Sequence, residues 1–167
     1  MVAQGFSQVP GVDYFDTFAP VAKLVSIHAV LAIMATYNIE IHQIYIKGAF
    51  LNRKLTDKKC IYIQQPSGFT NPVHSLQVCY LRKTLYGLKQ SRRQWYQRLC
   101  KILVDNLEFT YCDIDQSVFF KVTSHRLTII LVYVDNCTIM TTSIGLVNWI
   151  KNGMKKFVEI TNLEEIH

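Results

Sequence analysis

An aspartate stands where a rigidly held metal ligand could lie, between two strongly apolar stretches of the chain. The stretches are residues 127–134 and 137–142, and Asp135 and Asn136 alone separate them. Two β-strands joined by a two-residue turn would hold the Asp135 carboxylate in place and expose it, and both residue types tolerate the positive φ of such turns. A purely structural role stays open, because aspartate is common in turns for its own backbone hydrogen bonds.

Other residue types that could do chemistry show no catalytic or metal-binding spacing. The five histidines have no ligand spacing, no serine or cysteine lies in a nucleophile motif, and the seven scattered glycines form no phosphate-binding loop. The five cysteines contain no C-x-x-C pair, which argues against a disulfide framework or a zinc site. Free thiols indicate a reducing, intracellular environment.

Positive charge is concentrated in the middle of the chain. The sequence has 18 Lys+Arg and 12 Asp+Glu, a net charge of +6, and residues 41–104 hold twelve of these bases with one acid, Asp57. Tyrosines and a tryptophan lie among the bases. Such a segment is typical of a polyanion-binding surface, because each neutralised phosphate releases a counterion. A solvated helix face is the alternative.

Composition and length bound the class of protein. Half of the 167 residues are hydrophobic and 18% are charged, which excludes wholesale disorder and suits one compact domain. The longest nearly apolar run, residues 24–37, is shorter than the about 20 residues of a membrane span, so it predicts a buried helix. The N-terminus lacks the profile of a signal peptide, and we expect no membrane association.

The hydrophobic pattern predicts an α+β protein with an antiparallel sheet covered by helices on one face. Helices are predicted at 23–37, 92–107 and 143–157, with Ser143 as the cap of the last. Strands are predicted at 40–50, 61–64, 77–81 and 118–122, besides the hairpin around Asp135. In the second helix one apolar face is formed by Trp95, Leu99, Ile102 and Leu103. The strand around 41–46 should lie beside the hairpin.

Five segments, in order, resemble the landmarks of the reverse transcriptases of copia-type LTR retrotransposons. They are GFSQVPGVDYFDTFAPVA (5–22), EIHQIYIKGAFLN (40–52), LYGLKQSRRQW (85–95), YVDN (133–136) and NLEEI (162–166). The resemblance covers essentially the whole chain, and five landmarks with matching gaps are very specific. It implies an RNA-directed DNA polymerase fold, with fingers-like parts at about 1–30 and 53–84 and a palm at about 31–52 and 85–167.

The resemblance also implies the family's nucleotidyl-transfer reaction and the loss of that reaction in this chain. Family members extend a primer on an RNA or DNA template with dNTPs by two-metal nucleotidyl transfer. Three aspartates hold two Mg²⁺ ions in the family, and their positions fall on Tyr45, Asp135 and Asn136 here. Asp135 is the one carboxylate, and so the one strong metal ligand, that remains. We therefore expect no productive binding of the two ions and a catalytically inactive copy.

Further site residues follow from the matched motifs and the basic stretch. The nucleotide-binding positions are Phe50, which in the family screens out the ribose 2′-hydroxyl, and Tyr86, Gly87 and Lys89. Nucleic-acid-binding bases are expected at Arg82, Lys83, Arg92 and Arg93, on one positive surface that borders the Asp135 hairpin.

The resemblance sets expectations for the protein as a whole. Thumb, RNase H and integrase segments of a Pol polyprotein have no counterpart in these residues, which indicates a degenerate fragment. A non-catalytic nucleic-acid-binding remnant and an unexpressed relic stay open as alternatives. By analogy with the family, the location would be cytoplasmic particles or the nucleus.

Overall fold

Two compact units make up the chain. The computed structural model describes residues 2–37, 39–55, 60–123 and 126–165, so Asp57 and Ile166, the end of the fifth landmark, lie outside the described residues. The first unit comprises residues 1–18 and 50–95, and the second comprises 19–49 and 96–167. The fingers-like and palm-like ranges stay a prediction.

The described elements include three α-helices and eight β-strands, and most of the strands follow one another in runs without an intervening helix, as in α+β proteins. In chain order they are α1 (Leu24–Thr36), β1 (Glu40–Ile46), β2 (Tyr62–Gln64), β3 (Val78–Tyr80), α2 (Ser91–Cys100), β4 (Thr110–Tyr111), β5 (Val118–Thr123), β6 (Arg126–Tyr133), β7 (Asn136–Thr141), α3 (Ile144–Lys155) and β8 (Ile160–Glu165). No described helix has the length and apolar character needed to cross a membrane. The predicted α+β class is confirmed.

A six-stranded antiparallel sheet organises the second unit. Its strand order is β4-β5-β6-β7-β1-β8, and β2 pairs with β3 in a separate two-stranded sheet of the first unit. The predicted hairpin is confirmed as β6 and β7, and the predicted neighbour of the hairpin is β1. Strands β4 and β8 were not predicted, because β4 has two residues and β8 lacks an apolar alternation.

Two predicted boundaries near the hairpin are wrong by a few residues. The two-residue turn consists of Val134 and Asp135, because Val134 takes the positive φ of 54°. Asn136 already belongs to β7. Strand β1 ends at Ile46 rather than at Phe50. Gly48, with a φ of 55°, turns the chain there into a short 3₁₀ helix, Ala49–Asn52.

Helices lie on both faces of the sheet, so the prediction of helices on one face is wrong. Ile129 and Leu131 of β6 pack against Val30 and Met34 of α1. Lys121 of β5 lies opposite Thr128 of β6, the residue before Ile129, so it projects from the opposite face. Its ammonium lies 4.7 Å from the ring centroid of Trp149 in α3. The cause is that β6 is apolar on both faces, and a strand of this kind needs cover on both.

The predicted buried helix is buried along one stripe. In α1, Val30 and Met34 are buried, whereas Leu24 and Val25 are 66% and 79% exposed. The apolar run was therefore a correct signal for a helix and a poor signal for its burial.

The prediction for residues 92–107 is confirmed for the core and refined for the helix type. The four predicted apolar residues are buried, and the α-helix continues after Cys100 as a π-helical segment, Lys101–Asn106. Ser143 occupies the N-cap position of α3 as predicted. Its backbone carbonyl accepts hydrogen bonds from Leu146 and Val147, and its side chain makes no capping bond.

A buried carboxylate ties the start of α1 to the loop before β5. Asp115 is 4% exposed, and its Oδ2 accepts a hydrogen bond of 2.9 Å from the backbone N–H of Lys23, the N-cap residue of α1. Its Oδ1 accepts bonds from the backbone and hydroxyl of Ser117. Desolvation raises the pKa of Asp115, but the hydrogen bonds from Ser117, Lys23 and Ser26 outweigh it and lower the pKa to about 2.

Replacing this carboxylate should destabilise the fold in a pH-dependent way. Asp115→Asn should lower the free energy of unfolding by about 1–3 kcal/mol at pH 7, the usual cost of losing hydrogen bonds to a charged group. Because the folded pKa lies below that of a free carboxyl, the stabilisation is complete above about pH 5 and is lost as pH falls through 4 towards 2. Urea unfolding of both proteins across this range is the measurement.

The exposed Asp113 of the same loop provides a matched control. Asp113→Asn should leave the unfolding midpoint nearly unchanged. Equal effects of the two substitutions would show that Asp115 is not a specific anchor.

Candidate functional site

A row of four side chains crosses one end of the six-stranded sheet. Tyr45 of β1 lies opposite Asn136 of β7, which lies opposite Tyr133 of β6, and on its other side Tyr45 lies opposite Thr161 of β8. Directly opposed residues of antiparallel strands project from the same face. Tyr45 and Asn136 are therefore neighbours on one surface.

Asp135 joins this row from the hairpin turn. Its side chain is half-buried, and the Tyr45 hydroxyl lies 3.5 Å from Asp135 Oδ2, the outer limit of a hydrogen bond. The backbone carbonyl of Asp135 accepts a 2.8 Å hydrogen bond from the N–H of Ile46, which fastens the turn to the end of β1. The structure thus brings together Tyr45, Asp135 and Asn136, the three residues on which the resemblance places the family's aspartates.

The turn that carries Asp135 is strained. Val134 has a φ of 54°, in the left-handed region that β-branched residues rarely adopt. Type II′ hairpin turns require positive φ at this first loop position and normally place glycine there. Strain of this kind persists when the surroundings fix the backbone, and here β6 and β7 pair on both sides of the turn.

An ion pair beside the row was missed by the sequence analysis. Lys47 Nζ lies 2.6 Å from Glu159 Oε1, and the Lys47 N–H donates a 2.9 Å hydrogen bond to the Glu159 carbonyl. The pair joins the residue after β1 to the residue before β8. Both side chains are exposed, so its contribution to stability is small, about 0–1 kcal/mol. Residues 112 positions apart carry no local signal of such a contact.

The donor atoms at the hairpin do not fit two Mg²⁺ ions. Mg²⁺ prefers charged oxygen ligands, and two such ions about 4 Å apart need several anions to offset their repulsion. Among the described residues, no three His, Cys, Asp or Glu side chains are grouped to hold a metal ion. The hairpin offers one carboxylate, from Asp135, with the uncharged phenol of Tyr45 and the uncharged carboxamide of Asn136.

Cys137 follows the row and lies fully inside the sheet. Burial raises the pKa of its thiol to about 12, and the negative charge of Asp135 adds to the shift. Its neighbours across the sheet are Ile44 and Val132. A thiol in this environment stays protonated and inert.

The predicted nucleotide-binding residues lie in the first unit. The rings of Phe50 and Tyr86 contact each other, with centroids 4.6 Å apart. Gly87 has a φ of 93°, and an added Cβ would lie 2.0 Å from the carbonyl oxygen of Ala3. Lys89 exposes its side chain, and its N–H donates to Gln8. A side chain at position 87 would therefore clash with the backbone that holds this turn.

The predicted nucleic-acid-binding bases differ in the exposure of their side chains and in their contacts within the unit. Arg82, Lys83 and Arg92 are exposed. Arg93 is half-buried, pairs with Asp16 at 2.9 Å and donates to the carbonyl of Phe18 at 3.2 Å. Arg93 thus helps to fold its own unit. The prediction of one positive surface along the Asp135 hairpin involves both units and stays a prediction.

Comparisons with known proteins identify the family. Residues 1–167 match the model of the reverse transcriptase (RNA-dependent DNA polymerase) family. The chain belongs to this family, as the five landmarks predicted. It is 35% identical, over 98% of its length, to the Retrovirus-related Pol polyprotein from transposon TNT 1-94 of Nicotiana tabacum. It is 36% identical, over its whole length, to the corresponding polyprotein from transposon RE1 of Arabidopsis thaliana.

The chain corresponds to a small part of these relatives. It spans 12% of the Nicotiana tabacum protein and 11% of the Arabidopsis thaliana protein. No solved structure matches the chain.

The buried position of Cys137 can be tested by its reactivity. At pH 8, iodoacetamide should modify the exposed Cys60 first and Cys137 last, because the latter has neither access nor thiolate character. Mass spectrometry of peptides sampled over time is the measurement. In denaturant the two rates should converge, and equal rates in the native protein would contradict the placement of Cys137 inside the sheet.

Proposed function

We propose that this chain is a reverse transcriptase domain that no longer transfers nucleotides. The observation that carries the proposal is the set of side chains at the hairpin: one carboxylate beside a phenol and a carboxamide. The family's reaction needs anions that hold two dications against the transferring phosphoryl group. Asp135 supplies one anion, and the group 3.5 Å from its Oδ2 is the uncharged hydroxyl of Tyr45.

The size of the expected loss follows from the electrostatics of catalysis. Removing one well-placed group that stabilises developing charge costs about 10²–10³ in rate. Two of the three family aspartate positions are changed here, and the Tyr45 ring is bulkier than a carboxylate. The combined loss should exceed the range of an ordinary extension assay.

Polymerase assays provide the test of this function. The unmodified chain should give no primer extension on RNA or DNA templates with dNTPs and either Mg²⁺ or Mn²⁺. The double substitution Tyr45→Asp with Asn136→Asp should restore measurable binding of Mg²⁺, because it returns two anions beside Asp135. Calorimetric titration with Mg²⁺ alone reports this binding without depending on the complete reaction.

An uncharged variant separates the effect of charge from that of size. Tyr45→Asn removes the ring and adds no anion, so it should bind Mg²⁺ no better than the unmodified chain. Primer extension by the unmodified chain, or tight Mg²⁺ binding by it, would refute the proposed loss of function.

A second function, polynucleotide binding without copying, is favoured by the charge of the first unit. Its described residues include seven bases, Arg53, Lys54, Arg82, Lys83, Lys89, Arg92 and Arg93, and two acids, Asp13 and Asp16. Asp16 is already paired with Arg93. The excess of exposed bases matches a partner that carries phosphates, and a primer or template strand of RNA or DNA is the partner that we propose.

Salt dependence tests the second function. Fluorescence anisotropy with labelled oligonucleotides should show affinity falling linearly with salt on a double logarithmic plot, with a slope of about −0.7 for each phosphate contact to a single strand. Binding that does not depend on salt, or no binding at about 50 mM salt, would exclude it.

A further inference from the structure

One hairpin of the first unit carries no charged residue. Residues 61–81 contain no Asp, Glu, Lys or Arg, although the whole chain has 18 bases and 12 acids. This stretch consists of β2, β3 and the loop that joins them, residues 65–77. Surfaces of soluble proteins usually mix charges of both signs among their exposed residues. The composition of this hairpin is therefore that of a buried or covered segment.

The outward face of the hairpin is apolar. Tyr62 and Tyr80 are directly opposed, with ring centroids 5.6 Å apart, and Gln64 and Val78 are the next pair on the same face. Tyr62 is 59% exposed, Val78 is 55% exposed, and Leu76, two residues before Val78, is 97% exposed. An antiparallel sheet with one solvated face normally places polar residues there. Large apolar side chains take most of those positions here.

The opposite face of the hairpin already packs on the core of its own unit. Ile61 is buried in a cluster with Leu85 and Leu88, and Leu81 packs against this cluster. The Leu81 N–H donates a hydrogen bond to the Ile61 carbonyl, which continues the pairing of β2 with β3. The apolar residues of the outward face are therefore additional to those that the core of the unit uses.

The loop at the end of the hairpin is held in a defined conformation. Gln65 Nε2 donates to the carbonyls of His74 and Gln77, at 2.7 and 2.8 Å. Gln65 Oε1 accepts a 2.7 Å hydrogen bond from the Asn71 N–H, and Asn71 Oδ1 accepts one of 2.9 Å from the Val73 N–H. A surface that is ordered before it binds loses less conformational entropy on binding.

The exposed apolar area of this hairpin is large for a monomer. Phe69 and Val73 of the loop are 84% and 80% exposed. We use the term hairpin surface for the six exposed apolar residues Tyr62, Phe69, Val73, Leu76, Val78 and Tyr80. Its three aromatic residues alone expose roughly 300–450 Å², at about 150–250 Å² for each whole side chain. With its three aliphatic residues, the hairpin surface is on the scale of the about 800 Å² that each partner contributes to a standard interface.

We infer that the hairpin surface binds the hairpin surface of a second copy of this chain in a two-fold symmetric dimer. Each copy carries a net charge of +6, so two copies repel each other at charged faces, and an uncharged apolar face avoids that repulsion. A two-fold contact needs a self-complementary patch, and an apolar pleated face is one. Two such faces stack about 10 Å apart as the layers of a small sandwich. The inference is independent of the functions proposed above.

Sedimentation velocity of the nuclease-treated chain tests this assembly. Over about 1–100 μM protein, monomer should convert to dimer and to nothing larger, because a two-fold contact closes on itself. Raising the salt from about 0.1 to 0.5 M should strengthen the dimer, because screening weakens the repulsion between the copies. Phosphate binding shows the opposite dependence on salt. A chain that stays monomeric throughout, or an open series of larger species, would overturn the inference.

Charged substitutions at Leu76 test where the contact lies. Leu76→Lys and Leu76→Glu each bring like charges into both halves of a symmetric interface, so each should raise the dissociation constant at least about 100-fold. Neither should lower the melting temperature, because Leu76 is almost fully exposed. An equimolar mixture of the two variants should form a heterodimer, since opposite charges then lie within a Debye length, about 10 Å at 0.1 M salt.

Recovery in the mixture separates a lost contact from a damaged fold. Val25→Lys is the matched control, because Val25 is a 79% exposed apolar residue of α1 in the second unit. This control should dimerise like the unmodified chain. Dimers that persist in both Leu76 variants, or that are lost in both and do not return on mixing, would refute the assignment. An equal loss with Val25→Lys would show non-specific apolar association and would refute it too.

Discussion

The pairing of β1 with β7 is the constraint on which the candidate site depends. It joins segments about 90 residues apart in the chain, and it places Tyr45 opposite Asn136 and Ile44 opposite Cys137. Because side chains alternate along a strand, a slip of one residue would exchange the faces of Tyr45 and of its buried neighbours Ile44 and Ile46. Ile44 and Ile46 are completely buried, so the hydrophobic core fixes the register. The geometry of the site follows from the packing on the opposite face of the same strand.

This division between the two faces of β1 lets the site change while the fold persists. Truncating a buried residue such as Ile44 would cost about 2–5 kcal/mol, a large share of the stability of a domain this size. Tyr45 is half-buried at the end of the sheet, and tyrosine is favoured in strands. Under the proposed function, tyrosine in place of an aspartate at this position removes chemistry without removing a core contact. A sequence can therefore retain all five landmarks and the sheet while its catalytic positions differ.

Much of the fold could be predicted because its signals are local. The β6–β7 hairpin is marked by two apolar β-branched runs, and the 92–107 helix by its apolar spacing. The turn was misplaced by one residue because Asp and Asn are common at positive φ, whereas Val134 adopts it under the constraint of the flanking pairs. Strand β8 and the Lys47–Glu159 pair depend on contacts with distant segments. No local pattern encodes such contacts, and the exposure of α1 likewise depends on what packs against it.

The electrostatic requirements of chemistry and of folding oppose each other at this hairpin. Three carboxylates held close together repel one another unless bound cations neutralise them, so a functional two-metal site lowers the stability of the metal-free fold. A phenol and a carboxamide beside Asp135 remove that repulsion and cost the core nothing. The exposed bases of the first unit are different, because scattered surface charges are solvated and cost the fold little. When selection for chemistry relaxes, folding therefore favours the loss of the clustered carboxylates and is nearly indifferent to the bases. Under the two functions proposed above, nucleic-acid affinity would outlast catalysis for this reason.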